Sequence, residues 1–151
     1  MSQRLTAIGA LVASCVALSV SDARAQAKPT LDYEFFKARV EPIFLKKRVG
    51  HTRCVVCHGE EAGNAFRLTR LPPGDKVWNE RQSQRNFETV STLVTPGDPG
   101  ASRLAMQPLA VEAGGNVYHS GGRQFASKDD PDYRNLVQWI NGAKLADRAK
   151  K

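Results

Sequence analysis

The chain has 151 residues, enough for one domain, and carries 22 Lys and Arg against 15 Asp and Glu, a net charge of +7. Its basic residues are scattered rather than gathered into a patch, which argues against a nucleic-acid partner. The balance suits a partner with an acidic docking face or an anionic membrane surface, and equally a solvated basic surface with no partner.

The first 25 residues do not read as part of a folded domain. Met1 to Arg4 is short and carries one positive charge, and Leu5 to Val20 is apolar and uncharged. Ser21 to Ala25 is polar and small, and Ala23-Arg24-Ala25 fits a small-x-small cleavage site. That layout predicts a secretory signal peptide over 1–25 and a mature chain over 26–151, periplasmic or secreted. Ala25-Gln26-Ala27 offers a second cleavage register. The 16-residue apolar run is shorter than the roughly 20 residues of a membrane span, which leaves an uncleaved membrane anchor as the minor alternative. Val12-Ala13-Ser14-Cys15 loosely resembles a lipoprotein box, but the apolar run continues past it, so Cys15 reads as part of the removed peptide. Removal takes Arg4, Arg24 and Asp22 and leaves a charge of +6, with Cys54 and Cys57 the remaining thiols.

The mature chain predicts one all-α domain with its folded core at about 31–142 and no internal repeat. Tyr33, Phe36, Val40, Ile43 and Phe44 recur at three- and four-residue steps and predict a helix over Leu31 to Arg48. Pro42 lies inside it, so the helix bends there or restarts. Lys46-Lys47-Arg48 would sit at its negative end and Gly50 would stop it. Gly59 to Lys76 reads as loop, with a short extended segment at Phe66 to Leu71. Arg85 to Val94 predicts a second helix with Asn86 as its cap. Ser102 to Leu109 predicts a short helical turn, and Val111 to Gly122 an irregular, glycine-rich stretch. Asp129-Asp130-Pro131 predicts the start of a last helix, with Tyr133, Leu136, Val137, Trp139 and Ile140 on its apolar face and Asn141-Gly142 at its end. Ala143 to Lys151 reads as a polar tail.

The stretch with the most chemical content is Cys54-Val55-Val56-Cys57-His58. Two thiols three positions apart with an imidazole immediately after them form the attachment signature of a c-type haem. The thiols can add to the two haem vinyl groups as thioethers, and the imidazole can bind iron from one side. A closed zinc site needs four ligands, and outside the motif the mature chain offers only His51 and His119 as nitrogen donors. A thioredoxin-type dithiol belongs between a strand and a helix, whereas this motif follows a predicted helix.

Together with the leader and the two terminal helices, these residues make the chain resemble the class I cytochrome c family over about 31–142. The resemblance implies a small fold whose terminal helices cross beside a single covalent haem c, with Phe36, Val40 and Phe44 facing Leu136, Trp139 and Ile140. It implies Cys54 and Cys57 as attachment points and His58 as proximal iron ligand. It also implies a distal ligand well past the motif, on the loop before the last helix. His119 is 61 positions beyond His58 and sits on that loop between Gly114-Gly115 and Gly121-Gly122, where glycine permits close approach to a flat cofactor. Met106 is 48 positions beyond, in Leu104-Ala105-Met106, where it reads as core. His51, three residues before Cys54, would have to cross the porphyrin. The reading therefore places His119 on the iron, with Met106 or an open site as alternatives. This departs from the Met usual in the family. Nitrogen ligands on both sides imply a lower reduction potential than a Met ligand does.

Arg67, Arg70 and Arg123 are candidate partners for haem propionates, Arg123 foremost because it shares the His119 loop. Trp78 and Trp139 read as core. The predicted function is one-electron transfer between a protein donor and a protein acceptor, with no catalytic acid–base pair or activated nucleophile. A haem-bearing subunit of a larger oxidoreductase complex, and a haem enzyme or sensor with an open iron site, are the alternatives.

Overall fold

In the computed structural model the described residues are 27–145; the predicted leader, with its cleavage sites, Cys15 and possible anchor, lies outside them, as do residues 146–151. The domain is all-α. Its elements are α1 (Tyr33–Phe35), a π-helical turn (Phe36–Val40), α2 (Glu41–Leu45), α3 (Cys54–Cys57), α4 (Glu80–Ser91), α5 (Arg103–Met106), a 3₁₀ turn (Val111–Ala113) and α6 (Pro131–Ile140). Among the described residues, extended pairing is limited to four isolated bridges. No described helix is long and apolar enough to cross a membrane.

The first three elements follow one another without a break and form the predicted first helix, opened by Asp32, whose side chain accepts from Phe35 N–H at 2.7 Å. Pro42 lies in the first turn of α2, where its missing N–H costs nothing, and the π turn precedes it. The helix stops at Lys46, in extended backbone, short of the predicted Arg48. Lys46 and Arg48 do not serve their own helix end. They reach the start of α6: Lys46 Nζ contacts Asp132 at 2.7 Å, and Arg48 contacts both Asp130, at 2.9 Å, and Asp132.

Helix α6 starts where Asp130-Pro131 predicts, with the Asp130 carboxylate accepting from Asp132 and Tyr133 N–H. It packs on the first helix. Phe36 meets the Trp139 ring at 5.3 Å between centroids, and Trp139 Nε1 donates to Asp32 O at 2.9 Å. Phe35, Phe36, Val40, Leu136, Trp139 and Ile140 are all essentially solvent-free. Both tryptophans are core, Trp78 donating to Thr69 O at 2.7 Å.

Helix α4 corrects the sequence reading. It begins at Glu80, and its cap is Asn79, which forms a capping box with Gln82. Its first turn is polar, so the apolar stripe starts later than the helix does. Asn86, the predicted cap, is a fully buried mid-helix residue. It accepts from Thr69 N–H at 2.8 Å and donates to Glu41 at 3.0 Å. Ser83 Oγ donates to the other Glu41 oxygen at 2.7 Å. The predicted extended segment at Phe66 to Leu71 reduces to a single bridge between Leu68 and Gly59.

Candidate functional site

The haem-motif cysteines form the one-turn helix α3. A spacing of three residues on a helical turn puts both side chains on one face. Cys54 is partly buried and Cys57 exposed, and neither is in a disulfide. Burial pushes the Cys54 thiol up to about 11, against a lowering from its own backbone hydrogen bond and from the nearby Arg48 charge.

Both cysteines, His58 and His119 line one cavity of about 280 Å³. Ile43, Phe44, Phe66, Leu93, Leu104, Phe125 and Leu136 give it an apolar wall drawn from the first helix, α5, α6 and the loops. Arg53 and Arg103 contribute its charged groups, and no carboxylate lines it.

His58 and His119 lie close together on the wall of this cavity with their rings parallel. Their ring centroids are 6.2 Å apart and their planes differ by 5°. Each ring is held through Nδ1. His119 Nδ1 lies 2.6 Å from Gly122 O, a carbonyl that can only accept. His58 Nδ1 lies 3.2 Å from Asn64 Oδ1, and that oxygen also accepts from Phe66 N–H at 2.9 Å, which fixes it as an acceptor. Both imidazoles therefore carry the proton on Nδ1 when neutral, and Nε2 holds the lone pair. Burial lowers the His58 pKa, helped by His119 and opposed by the Asn64 hydrogen bond, so the neutral, ligating form is favoured. Phe66 lies against His58 with 4.4 Å between centroids.

These features test whether the residues suit a haem. Two imidazoles bound end-on to one metal, each nitrogen at about 2 Å, have centroids on the order of 6 Å apart, which matches the observed separation. Metal-binding histidines ordinarily donate their other ring N–H to an oxygen acceptor, as both do here. Gln107 lines the cavity, and its Oε1 is buried without a hydrogen-bond partner. Among the described residues, no group of three or more His, Cys, Asp and Glu is placed to hold a bare metal ion. The cavity wall offers two imidazole nitrogens and two thiols, residue types that suit a covalently tethered haem.

The other candidates lie elsewhere. Met106 and His51 are not on the cavity wall. Arg123 is not on it either; its guanidinium donates to Gln107 O at 3.3 Å and to Val117 O. Arg67 donates to Asn64 O at 3.0 Å, and Arg70 borders a separate groove beside Cys57. The glycines around His119 serve the loop itself. A Cβ on Gly115 would lie 2.0 Å from Leu109 O, and one on Gly121 would lie 3.3 Å from His119 Cε1. Sequence reasoning missed Asn64, Phe66, Gln107, Gln124, Arg53 and Arg103. Asn64, six residues past His58, was detectable as a short-range polar partner; the others carry no sequence signal.

Comparison of the chain with protein-family models, with curated proteins and with solved structures finds no match.

Proposed function

We propose that this chain is an exported monohaem c-type cytochrome that carries single electrons between redox proteins, with the terminal helices arranged as in class I cytochromes c. The observation that carries the reading is the pairing of His58 and His119, at 6.2 Å and nearly parallel, in a cavity that both motif cysteines line. Haem c, when bound, supplies a one-electron ferrous–ferric couple.

The chain's own residues do the rest. Cys54 and Cys57 would hold the cofactor by thioethers, and His58 and His119 would supply nitrogen donors to its iron. Asn64 and Gly122 fix the two imidazoles and raise their basicity through Nδ1. The apolar wall, with Phe44, Phe66 and Phe125, excludes water from the cofactor faces. With both imidazoles engaged, the iron would have no site left for substrate, which favours transfer over turnover. Arg53 and Arg103 are exposed residues on the cavity wall and suit the propionates and an acidic partner. The sequence pattern of the leader at 1–25 supports export, and attachment would use both thiols of the mature chain.

The test is the absorption spectrum of the reduced protein with and without carbon monoxide. A low-spin spectrum indifferent to carbon monoxide is the expected result. A high-spin spectrum that shifts with carbon monoxide would establish an open-site haem protein instead.

A further inference from the structure

The segment that carries His119 lies between the 3₁₀ turn and α6 and is in neither helix nor strand. Its own hydrogen bonds keep it in shape: His119 to Gly122, and Arg123 to the Gln107 and Val117 carbonyls. They do not reach the haem-motif segment. Gln124 does. It is only 8% exposed, and its Nε2 donates to Thr52 O at 3.0 Å and to Gly121 O at 3.3 Å. Thr52 is two residues before Cys54, and Gly121 is two residues after His119. One amide nitrogen thus spends its two hydrogens on two carbonyls, one beside each half of the site. A primary amide can do this; a carboxylate or a thioether cannot.

We infer that Gln124 is a positioning residue that holds the His119 loop against the haem-motif segment, and so keeps the distal side closed to small exogenous ligands. The inference rests on the haem reading above. Without those two donors, the part-buried bonds to the Thr52 and Gly121 carbonyls are lost, both carbonyls can turn to water instead, and nothing then ties the loop to the motif segment. The population with His119 withdrawn then rises, and a ligand that needs that population binds faster in proportion.

The experiment compares the full-length, haem-bearing protein with Gln124→Met and Gln124→Glu. Carbon monoxide association with the reduced protein is followed by stopped flow, and hydrogen exchange is followed over residues 117–123. Both variants should bind carbon monoxide at least about tenfold above the detection limit at which wild type stays inert, and exchange faster over that loop, while keeping a low-spin resting spectrum. Should Gln124→Met fail to fold, the Glu variant, of nearly equal shape, answers the same question. Variants with wild-type association and wild-type exchange overturn the inference. A wild-type protein that lacks covalent haem or binds carbon monoxide at once overturns the haem reading instead. Loop exchange in the full chain as purified then still decides whether Gln124 is the tie.

Discussion

His58 and His119 stand 61 positions apart in the chain and 6.2 Å apart in space, with ring planes within 5° of one another. Each has its Nδ1 on an oxygen, Asn64 Oδ1 or Gly122 O, which leaves the lone pair on Nε2. Independent loops converge on the same arrangement, which gives it weight as a binding geometry rather than as a packing accident.

The axial assignment predicts different outcomes for two substitutions. His119→Ala should convert the low-spin spectrum to one that responds to carbon monoxide and should raise the reduction potential. Met106→Ala should leave both unchanged, because Met106 is off the cavity wall. Absorption spectra and a redox titration of the two variants check this. A spectrum altered only by Met106→Ala would assign the distal site to methionine.

A second prediction concerns the buried Glu41. Burial raises its pKa, against the lowering from its Asn86 and Ser83 hydrogen bonds. The folded chain therefore holds this proton more tightly than the unfolded chain does. The associated stability is fully present below the unfolded value of about 4.3 and is lost as pH rises through the folded value. Glu41→Gln should accordingly match or exceed wild type at pH 7, with a margin that shrinks toward pH 4. Glu41→Ala should cost about 2–3 kcal/mol, because Ser83 and Asn86 would be left as buried donors without an acceptor. Urea unfolding across this pH range measures both.

The start of α6 supplies a third. Burial tends to raise the Asp130 carboxyl, but hydrogen bonds from Arg48 and from Tyr133 and Asp132 N–H outweigh it and hold the group below its ordinary value. Its contribution is present above the unfolded value of about 3.9 and is lost as pH falls through the folded one. Asp130→Ala should cost about 2 kcal/mol at neutral pH, combining a lost helix cap with the loss of one of the two carboxylates that Arg48 contacts. That guanidinium also lies over the Phe125 ring, 4.7 Å from its centroid, and Phe125 walls the cavity. Asp130→Asn, which can still cap, should cost less. Thermal melts at pH 7 and pH 3 should show the gap between wild type and Asp130→Ala closing in acid.

Much of the architecture could be read from local pattern. The stripe from Tyr33 to Phe44 and the Asp130-Pro131 start are dictated by periodicity and capping chemistry, and they give the two helices whose Phe36–Trp139 contact anchors the domain. Helix α4 was placed late because its first turn is polar, and Asn86 was misread because a buried asparagine and a capping one look alike without the Glu41 partner, 45 positions away. Cys54, Cys57, His58 and His119 stand out in the sequence by residue type and spacing, and the fold brings these four to one cavity. Arg123 does not, since nothing in its position tells a propionate partner from a guanidinium spent on loop carbonyls. Gln124 was invisible for the same reason: its partner Thr52 is 72 positions away.

A denaturing gel stained for haem reads covalent attachment through Cys54 and Cys57. The protein, produced with its leader in a host that attaches c-type haem, should keep haem on the polypeptide after denaturation, and Cys54→Ser/Cys57→Ser should abolish the stain at equal protein load. A wild-type band without haem, or a stain that survives loss of both cysteines, would contradict the account.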